Sequence, residues 1–110
     1  MKLRVDGFDL IAVSYGPGAV TTNFEQSDHF WLFYLMDGKI KRKELLSSFS
    51  KTNDERLASI GDSMIDVLIC RNYGPRSMAK LREQKVAIYT FDGGCDAAIK
   101  AYLSGDLRRL

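Results

Sequence analysis

DVLICRNYGPR, the sequence of residues 66–76, predicts a buried strand, a tight loop and the start of a helix. The apolar run at 67–70 has the length and β-branched character of a strand covered on both faces. Pro75 suits the first helical position, because its φ is fixed and it has no N–H to satisfy. This order places the loop at the carboxyl edge of a sheet, where open α/β folds bind ligands. An anion near residues 74–77 would be favoured there by the helix start.

Outward from this stretch, apolar runs and turn signals predict further strands at residues 9–14, 29–36, 39–45 and 86–91. Asp37-Gly38 is a strong hairpin signal, and Thr52-x-x-Glu55 predicts a helix from about residue 53. Further helices are expected at 75–83 and 95–104. Helical spacing places the following side chains inward: Leu57, Ile60, Met64, Met78, Leu81, Ala98, Ile99, Tyr102 and Leu103. Phe24 is the expected core anchor of a polar loop at 19–28, and residues 106–110 are expected to fray.

The element order predicts an α/β fold with a mixed five-stranded sheet, made of one antiparallel hairpin and three parallel strands, and three helices. The strand at 9–14 is expected beside the strand at 66–70. The last two strands are joined through a helix and should therefore be parallel. Residues 1–8 are interpreted as a leader or an edge strand, and residues 9–110 as a single domain.

The composition is that of an ordinary globular protein. Of 110 residues, 45% are hydrophobic and 27% are charged, and the formal net charge is +2. This small charge gives no reason to expect a nucleic acid or a membrane as partner. The sequence lacks an apolar run of membrane-spanning length and has no signal-peptide pattern at its start, so we expect a cytoplasmic protein. Its two cysteines are then expected to be reduced thiols.

Three loops, at residues 14–18, 71–74 and 92–94, are predicted to share one edge of the sheet. Cys70 and Cys95 lie at this edge, and parallel strands are only about 4.8 Å apart, so the two thiols could approach a common ligand. Cys95 is the more reactive candidate because a helix amino terminus lowers a thiol pKa. The alternative is that both cysteines are small buried hydrophobic residues. His29, the only histidine, is either an outlying ligand or a packed or solvent-facing ring.

Catalysis has little support in the sequence. Neither GxGxxG nor GxxxxGK[ST] occurs, there is no zinc-type Cys/His spacing, and the predicted strand interiors hold no group of carboxylates.

The motifs resemble a known family. DVLICRNYGPRSMAKLREQKVAIYTFDGG and the later AIKAYLSGDL are similar to the carboxyl-terminal half of the dinitrogenase iron-molybdenum cofactor biosynthesis family, of the NifX-like and NifB carboxyl-terminal-domain-like type. The front half, IAVSYGPGAVTTNFEQSDHFWLFYLMDGKI, is similar as well. The match runs from about residue 9 to 108, and GPR at 74–76 and YLSG at 102–105 are its most specific parts.

The resemblance implies a ribonuclease H-like fold and a non-enzymatic role: binding or carrying an iron-molybdenum cofactor or an iron-sulfur cluster precursor. The implied partners are this anionic metallocluster and other cofactor-assembly proteins, and the chain would be a monomer or a weak homodimer. Cys95, Cys70 and His29 are the candidate metal ligands. The expected cofactor-binding residues are Cys70, Arg71, Asn72, Tyr73, Gly74, Arg76, Gly93, Gly94 and Cys95.

Two departures from the family pattern fall at the predicted site. Asn23-Phe24-Glu25 stands where the family has His-Phe-Gly, which removes a candidate metal ligand and adds a negative charge. Arg71-Asn72 stands where the family has two glycines. The alternative function is therefore a sensor of small anions, or a protein-interaction module, that has the same fold and binds no metal cluster.

Overall fold

The computed structural model describes residues 8–47 and 52–110. In these ranges one mixed sheet of six strands, in the order β3-β2-β1-β4-β5-β6, carries three helices. The parallel strands β1, β4 and β5 form its centre, and the other neighbours are antiparallel. The elements are β1 (Asp9–Tyr15), β2 (His29–Met36), β3 (Lys39–Ser47), α1 (Asn53–Asp62), β4 (Val67–Cys70), α2 (Pro75–Glu83), β5 (Ala87–Thr90), α3 (Cys95–Leu103) and β6 (Arg108–Arg109). The predicted α/β class, the hairpin and the three parallel strands are confirmed.

The strand β4 forms the centre of the core, as its unbroken apolar run predicts. All four of its residues are buried, and they alternate between the two faces of the sheet. One face packs against α1 and α2 through residues such as Leu57 and Leu81, and the other packs against α3 through Ala98 and Ile99. The faces are therefore covered unequally, by two helices and by one.

The sheet has six strands, so the prediction of five is wrong. Arg108 and Arg109 pair with Thr90 and Tyr89 in an antiparallel ladder. Leu107 packs against the α3 side of the core, and this contact brings the two arginines beside β5. A strand of two charged residues has no alternation that a sequence pattern could reveal.

Two side chains that were predicted to face inward are exposed. The helix α1 ends at Asp62, and Met64 adopts a left-handed conformation with φ 57° and is 43% exposed. Leu103, the last residue of α3, is 41% exposed. Both errors come from extending a helical repeat to positions where the helix stops.

The connection between β1 and β2, residues 16–28, folds back over the end of the sheet. Phe24 anchors it, fully buried, as predicted. A side chain at Gly16 would clash with Thr22, because its Cβ would lie 2.1 Å from Thr22 Cγ2, so this fold-back requires glycine. Backbone hydrogen bonds then fasten the connection to the loops that follow β4 and β5.

The remaining predictions concern the hairpin and the segments between elements. Asp37 and Gly38 both have positive φ, as a tight hairpin turn requires, and β3 continues to Ser47. Thr52 caps α1 by accepting from the Glu55 N–H at 3.1 Å. Apart from Phe8, the predicted leader at residues 1–8 lies outside the described residues, as do residues 48–51 of the linker. No described helix has the length and apolarity needed to cross a membrane.

Candidate functional site

The carboxyl ends of β1, β4 and β5 lie at one edge of the sheet, which we call the rim. The three loops predicted to meet there do so. The connection 16–28 joins the other two, since Thr21 N donates to Gly93 O and Phe24 N donates to Asn72 O, each at 2.8 Å. The rim is therefore a continuous surface made of three loops and two helix starts.

The two cysteines do not share a ligand position on this surface, so that prediction is wrong. Both are free thiols and both are buried. Cys70 points into the core on the α1 and α2 side of the sheet, and Cys95 lies in the core on the α3 side. Burial, the largest effect, raises the pKa of Cys70 from 9.0 to about 12. Cys70 is thus an inert core residue, as the alternative interpretation had it.

Cys95 is also less acidic than predicted. The residue is 3% exposed, and its thiol donates to Ser14 O at 3.1 Å. Its pKa is raised from 9.0 to about 11, mainly by burial and also by Asp96, while Lys43 partly opposes both. The loss of solvent around the sulfur outweighs the helix amino terminus that was expected to lower the pKa.

A cleft opens where α3 begins, and we call it the α3 cleft. Its volume is about 230 Å³, and it is lined by Tyr15, Ala19, Trp31, Lys43, Gly94, Cys95 and Asp96. The Lys43 ammonium lies 4.3 Å from the centre of the Trp31 ring and 3.6 Å from the Asp96 carboxylate. Gly94 precedes the helix and has no side chain with which to cap it. The cleft therefore combines a cation, an aromatic surface, a helix amino terminus and a thiol.

Sequence reasoning missed five of the residues that line this cleft, of which Lys43 and Trp31 contribute its charge and its aromatic surface; the others are Tyr15, Ala19 and Asp96. Trp31 pairs with Leu45 and Phe33 pairs with Lys43 across the hairpin, so the lysine lies diagonally opposite the indole on one face. An irregularity in the register follows Tyr34. The alternation of lysines in β3 was visible in the sequence, but the face they share with Trp31 depends on that register.

The predicted residues of the loop after β4 are engaged within the protein. Arg71 Nε and Asn72 Nδ2 each lie 3.3 Å from Asn23 Oδ1. Tyr73 stacks on Phe24 with ring centres 6.1 Å apart, and its hydroxyl lies within donating distance of Leu68 O (2.9 Å) and Tyr89 O (2.7 Å). Burial raises its pKa well above the usual value. Its ring is thus packed beneath the rim.

The helix start at Gly74, predicted to attract an anion, holds one from the chain itself. Glu25 Oε2 accepts from Gly74 N at 2.8 Å and from Ser77 Oγ at 2.5 Å. Arg76 points into solvent and pairs with Asp54 at 3.8 Å, with both side chains more than three-quarters exposed (77% and 78%). Such an exposed pair contributes little energy.

His29 lies in a separate cleft of about 350 Å³, the His29 cleft, lined by Tyr15, Gly16, Pro17, Gly18, Thr22, Gln26, Asp28 and His29. Its Nδ1 is 3.0 Å from Ser47 Oγ. The two clefts share Tyr15, whose ring meets Trp31 edge-on with centres 5.5 Å apart. His29 is thus a neighbour of the α3 cleft without lining it.

The donor set limits what this rim can bind. Among the described residues, no group of three or more His, Cys, Asp or Glu side chains could hold a metal ion. A bare ion would need such a group. A preassembled anionic cluster with its own ligands could instead be held by charge, N–H groups and shape.

The fold and rim define a small α/β domain with a cleft, lined by Lys43 and the start of α3, at the carboxyl edge of its parallel strands. The model of the family described as Dinitrogenase iron-molybdenum cofactor matches residues 10–105, and the chain belongs to this family. None of the curated proteins compared with the chain matches it.

Solved structures share the fold at low sequence identity. A Methanocaldococcus jannaschii protein, provisionally described as a dinitrogenase, has a TM-score of 0.79 at 19% identity, with 96% of this chain and 97% of that chain covered. A Thermotoga protein, provisionally described as a NifB protein, has a TM-score of 0.73 at 22% identity and 93% coverage of each chain. The apo form of the orange protein from Desulfovibrio gigas has a TM-score of 0.76 at 16% identity and 96% coverage of each. At these identities the likeness concerns the fold.

Proposed function

We propose that this protein binds and carries an iron-molybdenum cofactor, or a related iron-sulfur cluster precursor, at the α3 cleft. Family membership supports a role connected with this cofactor. The observation that carries the proposal is the cleft itself, where Lys43 and the uncapped start of α3 face one cavity beside Cys95. A cation and a helix amino terminus both favour an anionic ligand.

The cluster would be held mainly through its surface. Gly93 and Gly94 keep the backbone at the start of α3 free of side chains, and Gly93 adopts φ 153°. The Trp31 ring supplies a flat apolar wall, and Lys43 supplies charge. Cys95 is the one thiol at this cleft, so it is the residue that could form a bond to the cluster. Cys70 and residues 71–76 do not line the α3 cleft, and the loop 71–74 contributes to the rim through its hydrogen bonds to the connection 16–28.

Anaerobic titration with tetrathiomolybdate, a small molybdenum-sulfur anion, tests the binding. We expect saturable changes in its absorption spectrum with the wild type, and roughly tenfold weaker binding for Lys43→Gln, the equivalent of about 1.4 kcal/mol. Lys41→Gln removes the same charge from the same strand outside the cleft and should bind as the wild type does. Cys95→Ala should weaken binding more than His29→Ala. A wild type that binds no tetrathiomolybdate, or equal losses in both lysine variants, would refute the proposal.

Family membership also supports a wider role in cofactor assembly. We infer a non-enzymatic carrier that meets other cofactor-assembly proteins in the cytoplasm, as a monomer or a weak homodimer, with a ribonuclease H-like fold. If simple oxyanions bind at the α3 cleft while tetrathiomolybdate does not, the result would favour the small-anion sensor instead.

A further inference from the structure

The starts of α2 and α3 both face the rim, but the chain treats them differently. The α2 start is occupied by the Glu25 carboxylate, which accepts from Gly74 N at 2.8 Å and from Ser77 Oγ at 2.5 Å. The α3 start faces a cleft that is lined by Lys43. The carboxylate at the α2 start is thus bonded directly to the backbone, whereas the carboxylate in the first turn of α3, Asp96, is 81% exposed and pairs with Lys43 at 3.6 Å.

The position of Glu25 follows from how the connection 16–28 is held. Phe24, its neighbour, is fully buried, and its N–H bonds to Asn72 O. Two residues before Phe24, Thr22 O accepts from Arg71 N at 2.8 Å, and after Glu25 the Ser27 N–H donates to Phe24 O at 3.1 Å. With the chain held before and after it, the side chain of residue 25 is directed at the α2 start.

The receiving side is equally well fixed. Ser77 is 1% exposed, and its hydroxyl is also bonded by Asn53 Nδ2 at 2.9 Å. A Cβ built on Gly74 would lie only 2.8 Å from Glu25 Oε2, so the carboxylate sits directly against the backbone. An external anion could use these donors only after Glu25 had left them.

We propose that Glu25 is a specificity-determining residue, an internal anion that fills the α2 start and thereby restricts external anions to the α3 cleft. The identity of the external ligand rests on the proposed function, whereas the occupation of the α2 start by Glu25 does not. Removing the carboxylate should open a second anion site at Gly74 and Ser77.

Titration of the ¹⁵N-labelled protein with molybdate, followed by amide NMR, tests this inference residue by residue. In the wild type we expect saturable shifts at the start of α3 and none at Gly74 or Ser77. In Glu25→Ala we expect new saturable shifts at Gly74 and Ser77, with at least tenfold tighter apparent binding there. Glu83→Ala removes an exposed carboxylate from the far end of the same helix and should behave as the wild type does.

The outcomes separate the two proposals. If Glu25→Ala shows no more shift at Gly74 and Ser77 than Glu83→Ala, the role of Glu25 is refuted even where the α3 start responds. If the α3 start is silent in every variant while Glu25→Ala gains the α2 response, Glu25 fills the α2 start as proposed, the restriction of molybdate to the α3 cleft is refuted, and the tetrathiomolybdate titration decides the proposed function. Should Glu25→Ala not fold, Glu25→Gln, which keeps the side-chain length without the charge, is compared with Glu83→Gln by the same criterion.

Discussion

The Cys95 thiol should react slowly for a residue at a helix start. With its pKa raised from 9.0 to about 11, about one Cys95 in a thousand is ionised at pH 8, against about one in ten for an ordinary thiol. Only the thiolate is nucleophilic, so lower ionisation should slow its reaction with an aromatic disulfide reagent by about 100-fold relative to the unfolded chain, and the greater nucleophilicity of a more basic thiolate should offset roughly tenfold of this. Burial of the residue slows the reaction further. The Cys70→Ala variant leaves Cys95 as the sole reporter.

The same shift sets a pH dependence of stability. Because the folded protein keeps the proton that the unfolded chain loses near pH 9, the contribution of Cys95 is complete below pH 9 and is lost as the pH rises towards 11. Two pKa units correspond to roughly 2–3 kcal/mol. Urea unfolding of wild type and Cys95→Ala at pH 8 and pH 10.5 measures the difference. Cys95 reacting as fast as in the unfolded chain, or a difference in stability between the two proteins that stays constant with pH, would refute the reasoning.

Three further predictions concern single side chains that stabilise the fold, and each is measured as a change in the free energy of urea unfolding. Phe24→Ala should cost about 3–5 kcal/mol, because the ring is fully buried, and a loss under 1 kcal/mol would contradict its role as anchor. Arg56→Met should lower the free energy of unfolding by roughly 2–3 kcal/mol, since the buried guanidinium donates to Ser27 O at 2.6 Å. Arg42→Met, in the exposed strand β3, should lower it by less than about 0.5 kcal/mol, and equal losses would argue against the buried bond. Thr52→Ala should cost about 1 kcal/mol through loss of the α1 cap, and an unchanged stability would exclude that cap.

The fold was largely predictable because its strongest sequence signals are local. The apolar run at 67–70 and the Asp37-Gly38 turn each specify one element without reference to the rest of the chain. Helix starts were equally clear, from the Thr52 cap and from Pro75. Helix ends were not clear from the sequence, and the prediction that Met64 faces inward was wrong for that reason. The sixth strand exists only because tertiary packing of Leu107 brings Arg108–Arg109 to β5.

The candidate site was predictable only in part, because a strand order fixes which loops meet and leaves open what their side chains face. The meeting of three loops at the rim follows from parallel β1, β4 and β5. Cys70, however, shares the α1 and α2 face with Leu68, two residues earlier in β4, while α3 packs on the other face. The contribution of Lys43 depended on hairpin register, and the contact of Glu25 with Gly74 spans 49 residues of sequence.

These contacts decide how a cluster would be held. At neutral pH Cys95 carries its proton and donates it to Ser14 O, so a bond from its sulfur to a metal requires both deprotonation and the loss of that hydrogen bond. Neither requirement applies to Lys43, because it is a cation whose side chain is 41% exposed and whose partner, Asp96, is 81% exposed. Electrostatic capture at the α3 cleft must therefore come first, and the negative charge of a bound cluster would raise the Cys95 pKa still further. A thiolate bond can form only where a metal of the cluster directly replaces the proton. A cluster held by its surface in this way would be released without breaking a thiolate bond, as the proposed carrier role requires.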